Sequence, residues 1–508
     1  MLVVIHFGSQ VAHLIARRVR QLGVYSEILP HDVSAEAIMK LRPRGIILSG
    51  GPASVYEEGS PQGDPGIFSL GIPILGICYG MQLIGQQFGK VENKPIKEFG
   101  KALLRVKQAK GVFKGLTRAE QVWMSHGDSV TELKGFELLG STKNCPVAAV
   151  ANEAKRIYGV QFHPEVVHTL PGRKILENFV FGICNAEKDF NIADMRKTLV
   201  QEIRNTVRSK AVLMAISGGV DSTVAATLIQ EAIGNKLHCV FIDHGFIRNG
   251  EKEEVDAAYQ KLFKNYHSVD ASEIFLRKLE GVSDPEQKRR IIGHTFIEVF
   301  EKKAKELEKQ HPDIAFLGQG TIYPDRIESA QPSKTASKIK SHHNVTLPEK
   351  MHLKVIEPLK DFYKDDVRAL GKQLNIPPAI LQRHPFPGPG LAIRILGEIT
   401  REKLALLKKA DSIFIEELKK AGAYDKVWQA LTAIFPVKSV GVMGDARTYQ
   451  YIVSLRAVTS VDAMTADWAK LPHALLEKIS TRIVNEVKGV NRVVYDITQK
   501  PPGTIEYE

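Results

Sequence analysis

The chain lacks the features that mark secreted, membrane-spanning and fibrous proteins. It has only 4 cysteines in 508 residues, none in a Cys-x-x-Cys pair: Cys78, Cys145, Cys184 and Cys239. Their scatter favours reduced thiols over a disulfide framework or a zinc site. No apolar run approaches the roughly 20 residues of a membrane helix, and the N-terminus has no signal-peptide pattern. We therefore expect a cytoplasmic protein that does not contact a membrane.

Long basic blocks, fixed-period repeats and low-complexity segments are also missing. The formal net charge of +12 is spread along the chain, which suits anionic small substrates as well as nucleic acid, and we predict no nucleic-acid partner. A length of 508 residues favours two to four domains. A composition of 44% hydrophobic and 25% charged residues is ordinary for a globular protein.

A glycine loop lies between a strand-like apolar run at 211–216 and a helical segment that continues through Ile233. Its residues are Ser217, Gly218, Gly219, Val220, Asp221 and Ser222. The two glycines let the backbone approach a ligand, and the N–H groups at the start of the helix favour an anion. The serine hydroxyls add hydrogen-bond donors, and Asp221 could hold a divalent cation on phosphate oxygens. The lysine of a Walker A loop is absent, so the loop suits phosphate but is not a P-loop. Taken alone, the segment could also be a plain strand-to-helix turn.

This loop resembles the pyrophosphate loop of the ATP pyrophosphatases, enzymes that split ATP into AMP and pyrophosphate while adenylating a carbonyl oxygen. The resemblance implies that ATP is a co-substrate bound by residues 217–222. It also implies Mg²⁺ held by Asp221.

A second strand-to-helix turn is predicted at Cys78. The apolar run 72–77 leads into Gly76-Ile77-Cys78-Tyr79-Gly80, a Gly-x-Cys-x-Gly version of the nucleophile elbow. A thiolate at a helix N-terminus is stabilised by the helix dipole, and a histidine close to it would activate it further. An inert buried cysteine is the alternative for an isolated residue.

A histidine and a carboxylate end another predicted strand, which runs from 157 to 163. His163 and Glu165 are two positions apart around Pro164, so an extended backbone places them on the same side and Glu165 can orient His163. By itself this pair could be an ordinary surface pair. With Cys78 it completes a Cys, His, Glu triad.

The elbow and the triad resemble the class I glutamine amidotransferases over about residues 1–187. The resemblance implies that Cys78 attacks the side-chain amide of glutamine, that a glutamyl thioester forms, and that ammonia leaves. It assigns the oxyanion hole to Gly50, Gly51 and the N–H of Tyr79, and glutamine binding to Gln82, Ser125 and His126. One departure is His6, where the family pattern has aspartate.

The remaining chain predicts two further domains. The order strand, helix, strand around the glycine loop predicts a parallel doubly wound sheet, with its ligand at the carboxyl ends of the strands. Near the C-terminus, alternating stretches at 449–455 and 492–497 flank a helical segment at 474–487. The predicted fold class is α/β, with two doubly wound, mostly parallel-sheet domains at 1–187 and 188–383. A small α+β domain at 384–508 follows them.

Motifs throughout the chain resemble the GMP synthetases. They lie at 284–293, 319–325, 339–344, 384–390 and 500–506. The resemblance implies that ATP adenylates xanthosine monophosphate (XMP) and that ammonia from glutamine displaces AMP to give GMP. It also implies a homodimer through the C-terminal domain, and XMP contacts from Arg248, Arg394, Lys500 and Glu506. Departures from the family pattern are His294, Arg326 and the shortened stretch 345–348.

Two functions of other classes remain as alternatives. A tRNA-modifying ATP pyrophosphatase would use the same loop, but it would need a basic patch or RNA-binding module and would have no use for the cysteine elbow. An inactive glutamine-sensing scaffold would be expected to have lost a triad residue, and all three positions are filled.

Overall fold

The computed structural model describes residues 1–9, 11–323, 325, 352–460 and 465–508. The motif at 339–344, the shortened stretch 345–348 and Arg326 lie outside these residues. The chain divides into two compact units, residues 1–191 and 192–508. Among the described residues, no helix has an apolar stretch that could cross a membrane.

The first unit is built on one nine-stranded sheet, in the order β2-β1-β3-β4-β9-β8-β7-β5-β6. Its strands are β1 (Leu2–His6), β2 (Ser26–Pro30), β3 (Ile46–Leu48), β4 (Ile74–Ile77), β5 (Gly89–Val106), β6 (Ala119–Leu133), β7 (Glu137–Ser141), β8 (Ala149–Asn152) and β9 (Ile157–Val160). Its α-helices are α1 (Val11–Gln21), α2 (Ala35–Leu41), α3 (Tyr79–Phe88) and α4 (Gly172–Glu177). Short 3₁₀ turns at Pro65–Ser69 and Gly111–Phe113 and a π-helical turn at Asn178–Ile183 connect them.

Half of this sheet is parallel and half is antiparallel. Strands β1 to β4 and β9 pair in parallel, and β3 and β4 are buried along their whole length. Such continuous apolar runs are typical of strands covered on both faces. Strands β5 to β8 pair antiparallel, and β5 and β6 form a long hairpin. The sequence analysis did not predict this antiparallel half.

The second unit begins with a five-stranded parallel sheet, in the order β12-β11-β10-β13-β14. Its strands are β10 (Ala211–Ile216), β11 (Leu237–Asp243), β12 (Asn265–Asp270), β13 (Ile314–Gly318) and β14 (Lys354–Ile356). The helices around it are α5 (Ile192–Val207), α6 (Val220–Ile233), α7 (Glu251–Leu262), α8 (Ser272–Lys278), α9 (Pro285–Gln310), α10 (Lys364–Gln373) and α11 (Pro378–Leu381).

The C-terminal part of this unit is a smaller α+β layer. It contains α12 (Arg401–Lys420), β15 (Gln429–Met443), β16 (Ala446–Thr459), β17 (Asp467–Trp468), α13 (His473–Glu486) and β18 (Val490–Tyr495). Strands β15 and β16 are antiparallel, and β18 joins β16 in parallel. One hydrophobic core runs from Leu213 and Val240 in the parallel sheet to Phe414 on α12 and Val453 on β16. The predicted fold class is confirmed, whereas the boundary between 383 and 384 stays a prediction.

Candidate active sites

Cys78 occupies a strained turn between β4 and α3. It is the N-cap residue of α3, with φ 53° and ψ −104°, a backbone conformation that is uncommon for a residue with a side chain. Glycines make the turn feasible: a Cβ at Gly76 would lie 2.6 Å from the carbonyl oxygen of Gly80, and a Cβ at Gly80 would lie 2.3 Å from that of Leu48. The Cys78 N–H donates to the Val160 carbonyl at 2.8 Å, which ties the turn to the neighbouring strand.

His163 and Glu165 follow β9 and are buried together. Nδ1 of His163 lies 2.7 Å from Oε1 of Glu165, and the Glu165 side chain is completely buried. A carboxylate at Nδ1 fixes the proton there, which leaves Nε2 for the cysteine. Burial opposes the charged imidazole, yet Glu165 and Cys78 raise the pKa of His163 well above its ordinary value. Arg18 of α1 donates from Nε to the Glu165 carbonyl at 2.9 Å and holds this backbone in place.

The cavity around Cys78 has a volume of about 500 Å³. Sequence-predicted residues that line it are Gly51, Cys78, Gln82, Ser125, His126 and His163. Gly50 lies against His163, because a Cβ there would be 3.0 Å from Cε1 of that histidine. Tyr79 is buried, and its hydroxyl donates to the Pro61 carbonyl at 2.8 Å, so its side chain is structural while its N–H begins α3.

Gln82 and His126 support the cavity wall. Nε2 of Gln82 and Nδ1 of His126 both lie 2.9 Å from the Asp128 carbonyl oxygen, and both residues are buried. The carbonyl oxygen of Ser125 lies 3.5 Å from the Cys78 sulfur. The two side chains therefore shape the segment 125–128 that faces the cysteine.

Glu98 is a buried residue beside His126 that the sequence motifs did not mark. The single Oγ1 proton of Thr142 is shared between the two carboxylate oxygens of Glu98, at 3.0 and 2.9 Å, and Oε2 lies 3.8 Å from Nε2 of His126. Burial raises the pKa of Glu98. Its position on β5 carries no motif, so no sequence signal marked it.

The glycine loop in the second unit joins β10 to α6, as predicted. Gly218 has φ +78°, and Gly219 is the N-cap residue of α6. The Ser217 N–H donates to the Ser222 hydroxyl at 3.3 Å, and the Gly219 N–H lies 3.4 Å from the Ser217 hydroxyl. The loop is thus a tight ring of backbone and hydroxyl donors at a helix N-terminus.

Asp221 lies at the start of α6 with one oxygen paired. Oδ2 lies 2.6 Å from Nζ of Lys364, whereas Oδ1 is buried and has no hydrogen-bond partner among the described residues. Arg383 approaches the same loop, with Nη1 3.4 Å from the Gly218 carbonyl oxygen. Sequence analysis did not single out Lys364 or Arg383, because both are more than a hundred residues from the loop.

Three of the four residues predicted to contact XMP lie in one network. Arg394 is completely buried, and its Nε and Nη2 grip the Glu506 carboxylate at 3.0 and 2.9 Å. Arg248 donates from Nε to Asp411 at 2.7 Å. Burial opposes its charge, but the neighbouring carboxylates, Asp411 first, raise the pKa of Arg248. In this structure Arg394 therefore pairs with Glu506, a contact that the motif did not predict.

Lys500 lies on the same C-terminal tail as Glu506. Its backbone pairs with Ala466, through N–H···O distances of 3.0 and 2.8 Å. Arg456, which is 1% exposed, donates to the carbonyls of Thr498, Thr504 and Ile505 and fixes the course of the tail. Of the departures from the family pattern, His6 ends β1 and His294 is exposed on α9.

Comparison with known proteins covers both units. Residues 3–183 match the family described as glutamine amidotransferase class-I, residues 191–291 match NAD synthase, and residues 416–507 match the GMP synthase C terminal domain. The glutamine-hydrolysing GMP synthase of Aquifex aeolicus is 57% identical over 510 residues, covering 100% of this chain and 99% of that protein. Those of Bacillus cereus and Carboxydothermus hydrogenoformans are 54% identical, with 100% of this chain and 99% of each relative covered. Because identity of this level extends from end to end, this chain belongs to the family of glutamine-hydrolysing GMP synthases.

Proposed function

We propose that this chain makes GMP by the reaction ATP + XMP + L-glutamine + H₂O → AMP + diphosphate + GMP + L-glutamate. Two observations made together support this proposal. The chain is similar to GMP synthases from end to end, and it contains both a buried cysteine, histidine and glutamate near one another and a glycine loop at a helix N-terminus. An RNA-binding tRNA-modification enzyme would leave the first of these two sites without a use.

In the glutaminase half, the thiol proton of Cys78 passes to His163, and the Cys78 thiolate attacks the side-chain amide carbon of glutamine. The oxyanion that forms lies next to the N–H of Tyr79 and the glycines at 50 and 51. His163 then protonates the departing nitrogen, and ammonia leaves behind a glutamyl thioester. Water, deprotonated by His163, hydrolyses this thioester to glutamate and free cysteine. Glu165 keeps its partner histidine oriented through both steps.

In the synthetase half, the C2 oxygen of XMP attacks the α-phosphorus of ATP and pyrophosphate leaves. Residues 217–222 bind the leaving pyrophosphate through backbone N–H groups and the hydroxyls of Ser217 and Ser222. Ammonia then attacks C2 of the adenylated intermediate, and the C2–O bond breaks to release AMP and GMP. The α6 N-terminus contributes its dipole where the leaving group gathers charge.

Asp221 fits the magnesium ion that this chemistry implies. Its Oδ1 is a buried carboxylate oxygen without a hydrogen-bond partner in the described part of the chain. No group of three His, Cys, Asp or Glu with metal-binding geometry occurs among those residues, as expected for an ion bound by one or two carboxylates and substrate phosphates. When bound, Mg²⁺ neutralises charge on the pyrophosphate oxygens. Lys364 supplies a second positive charge at the same carboxylate.

The division of labour follows the predicted domains. Residues 1–187 release ammonia, residues 188–383 adenylate XMP, and residues 384–508 supply much of the XMP pocket and a homodimer interface. Arg248, Arg394, Lys500 and Glu506 are assigned to the XMP pocket. We place the protein in the cytoplasm, with small molecules as its substrates.

One assay tests the proposal. The purified protein is incubated with XMP, ATP, Mg²⁺ and glutamine, and the nucleotides are resolved by chromatography. We expect GMP, AMP and pyrophosphate in equal amounts. Formation of ADP in place of AMP, or no GMP with either glutamine or ammonium, would refute the assignment.

A further inference from the structure

Asp411 is a fully buried carboxylate in the middle of α12. Its Oδ2 accepts from Nε of Arg248 at 2.7 Å, and its Oδ1 accepts from the N–H of Thr432 at 2.9 Å. An ionised carboxylate is retained in an interior only when it is paired and hydrogen-bonded. Asp411 meets both conditions, and in doing so it joins the loop after β11 to the first residues of β15.

A second guanidinium shares this carboxylate. Nη1 of Arg394 lies 3.9 Å from Oδ1 of Asp411. The Cζ atoms of Arg248 and Arg394 lie 5.1 and 4.9 Å from the centroid of the Phe386 ring. Two guanidinium groups close to one ring carry like charges, and a carboxylate beside both offsets their repulsion. The Glu506 side chain is 16% exposed and lies on the C-terminal tail, whereas Asp411 is on a buried helix face, so Asp411 is the fixed counter-ion.

The hydrogen bonds also leave Arg248 with one nitrogen for a ligand. Nε donates to the Asp411 carboxylate, and Nη2 donates to the Ala430 carbonyl at 3.2 Å. Within the described part of the chain Nη1 has no hydrogen-bond partner, and the Arg248 side chain is 17% exposed. A guanidinium held at two nitrogens presents the third in a fixed direction.

We propose that Asp411 is the positioning residue of the XMP site: it holds Arg248 so that Nη1 meets the nucleotide, and it does not itself touch substrate. This inference rests on the proposed function, and in particular on Arg248 as an XMP contact. It adds a residue to which no motif assigned a role.

The test replaces Asp411 without changing its size. Asp411→Asn has one oxygen, which can accept from the Thr432 N–H while the amide N–H₂ faces Arg248, so the charge-assisted bond is lost. With ammonium as nitrogen source, we expect the KM for XMP to rise ~10-fold or more, as for loss of a hydrogen bond to a charged group. The KM for ATP and kcat at saturating XMP should change less than about twofold.

Glu417→Gln is the matched control. Glu417 is also a buried carboxylate on α12, 2% exposed, and it accepts from Arg482 at 2.7 Å and pairs with Lys478 at 2.8 Å. The substitution Glu417→Gln therefore removes an ion pair of the same helix that does not include Arg248. A purely structural role for Asp411 predicts the same kinetic result for both variants, and that result would overturn the proposal.

A double-mutant comparison shows whether Asp411 acts through Arg248. In an Arg248→Ala background, Asp411→Asn should change the KM for XMP by less than about twofold. An undiminished effect there, or an Arg248→Ala variant with a normal KM for XMP, would contradict the inference. If Asp411→Asn does not fold, Asp411→Glu keeps the charge and displaces Arg248 by one methylene. An unchanged KM for XMP in Asp411→Glu would be decisive against it. Failure of the parent to make GMP would instead refute the proposed function.

Discussion

Two strand-to-helix turns in this molecule each contain one residue with a positive φ, but the two residues differ in kind. The turn from β4 to α3 gives a positive φ to Cys78, at 53°, and the turn from β10 to α6 gives one to Gly218, at 78°. In the first turn the residue with positive φ has a side chain, which we propose as the nucleophile. In the second it has none, so the backbone N–H groups of the turn are unobstructed for the proposed pyrophosphate. A side-chain nucleophile thus justifies strain at a non-glycine residue, whereas a polyanion is better met by unobstructed N–H groups.

The largest expected effect separates the carboxylate of the glycine loop from an exposed carboxylate at the start of another helix. Asp221→Ala should lower GMP formation by roughly 10²-fold or more with glutamine or ammonium, because pyrophosphate charge is neutralised in every turnover. The control is Asp194→Ala, which removes an exposed carboxylate from the first turn of α5 and should leave the rate near that of the parent. Near-normal ammonia-dependent turnover in Asp221→Ala would show that the Asp221 carboxylate is not needed for the reaction.

The next effect is confined to one nitrogen source. Cys78→Ala removes the only residue proposed to bond covalently to glutamine, so glutamine-dependent synthesis should vanish while the ammonia-dependent rate stays comparable to that of the parent. Rates are measured with each nitrogen source at a pH that supplies free ammonia. Cys145→Ala, at another buried cysteine of the same unit, should retain both activities. A folded Cys78→Ala protein that still used glutamine would disprove the triad.

A smaller effect tests the glycine of the second turn. Gly218→Ala forces a side chain into a left-handed conformation, which costs about 1–2 kcal/mol of unfolding free energy, and it should raise the KM for ATP several-fold by disturbing the N–H ring. Gly234→Ala is matched to it, since Gly234 ends the same helix with φ +62° and has open space around it. Both variants should lose similar stability in denaturant titrations, but only Gly218→Ala should alter ATP binding. An equal KM for ATP in the two variants would mean that the loop backbone does not bind ATP.

The smallest effect is a shift in the pKa of His163, the histidine beside Cys78. Because Glu165 and Cys78 raise the pKa of His163 above its ordinary 6.5, its protonation stabilises the fold fully below about pH 6.5, and this contribution is lost as pH rises through the raised pKa. Cys78→Ala removes one of the two causes, so the pKa of His163 should fall and the pH window should narrow. Histidine NMR titration checks this against Cys145→Ala. An unchanged His163 pKa would show that the cysteine and the histidine are not coupled.

Local patterns predicted both turns, because each depends on residues adjacent in sequence. The apolar runs before Cys78 and Ser217, and the glycines beside them, fix a strand end and a helix start within about ten residues. The family resemblance drawn from these residues is confirmed by the full-length matches. The assignments of individual residues to substrates stay predictions.

Residues that support the sites could not be predicted, because they reach them through the folded chain. Arg248 and Asp411 are 163 positions apart, and Lys364 and Asp221 are 143 apart. A motif also does not indicate burial. Arg394 was predicted to contact substrate, and in the structure it is fully buried and hydrogen-bonded to Glu506. The antiparallel strands β5 to β8 also escaped prediction, although β5 with β6 and β7 with β8 pair as neighbours along the chain.

The hydrophobic core that runs from β10 and β11 into α12 and β16 bears on how this half of the molecule denatures. Side chains such as Leu213 and Phe414 bury apolar surface in the same cluster, so neither the parallel sheet nor the C-terminal layer can expose its share alone without opening the other. We therefore expect residues 192–508 to unfold as a single cooperative block with one heat-absorption peak. The C-terminal tail and the glycine loop should then unfold at the same temperature.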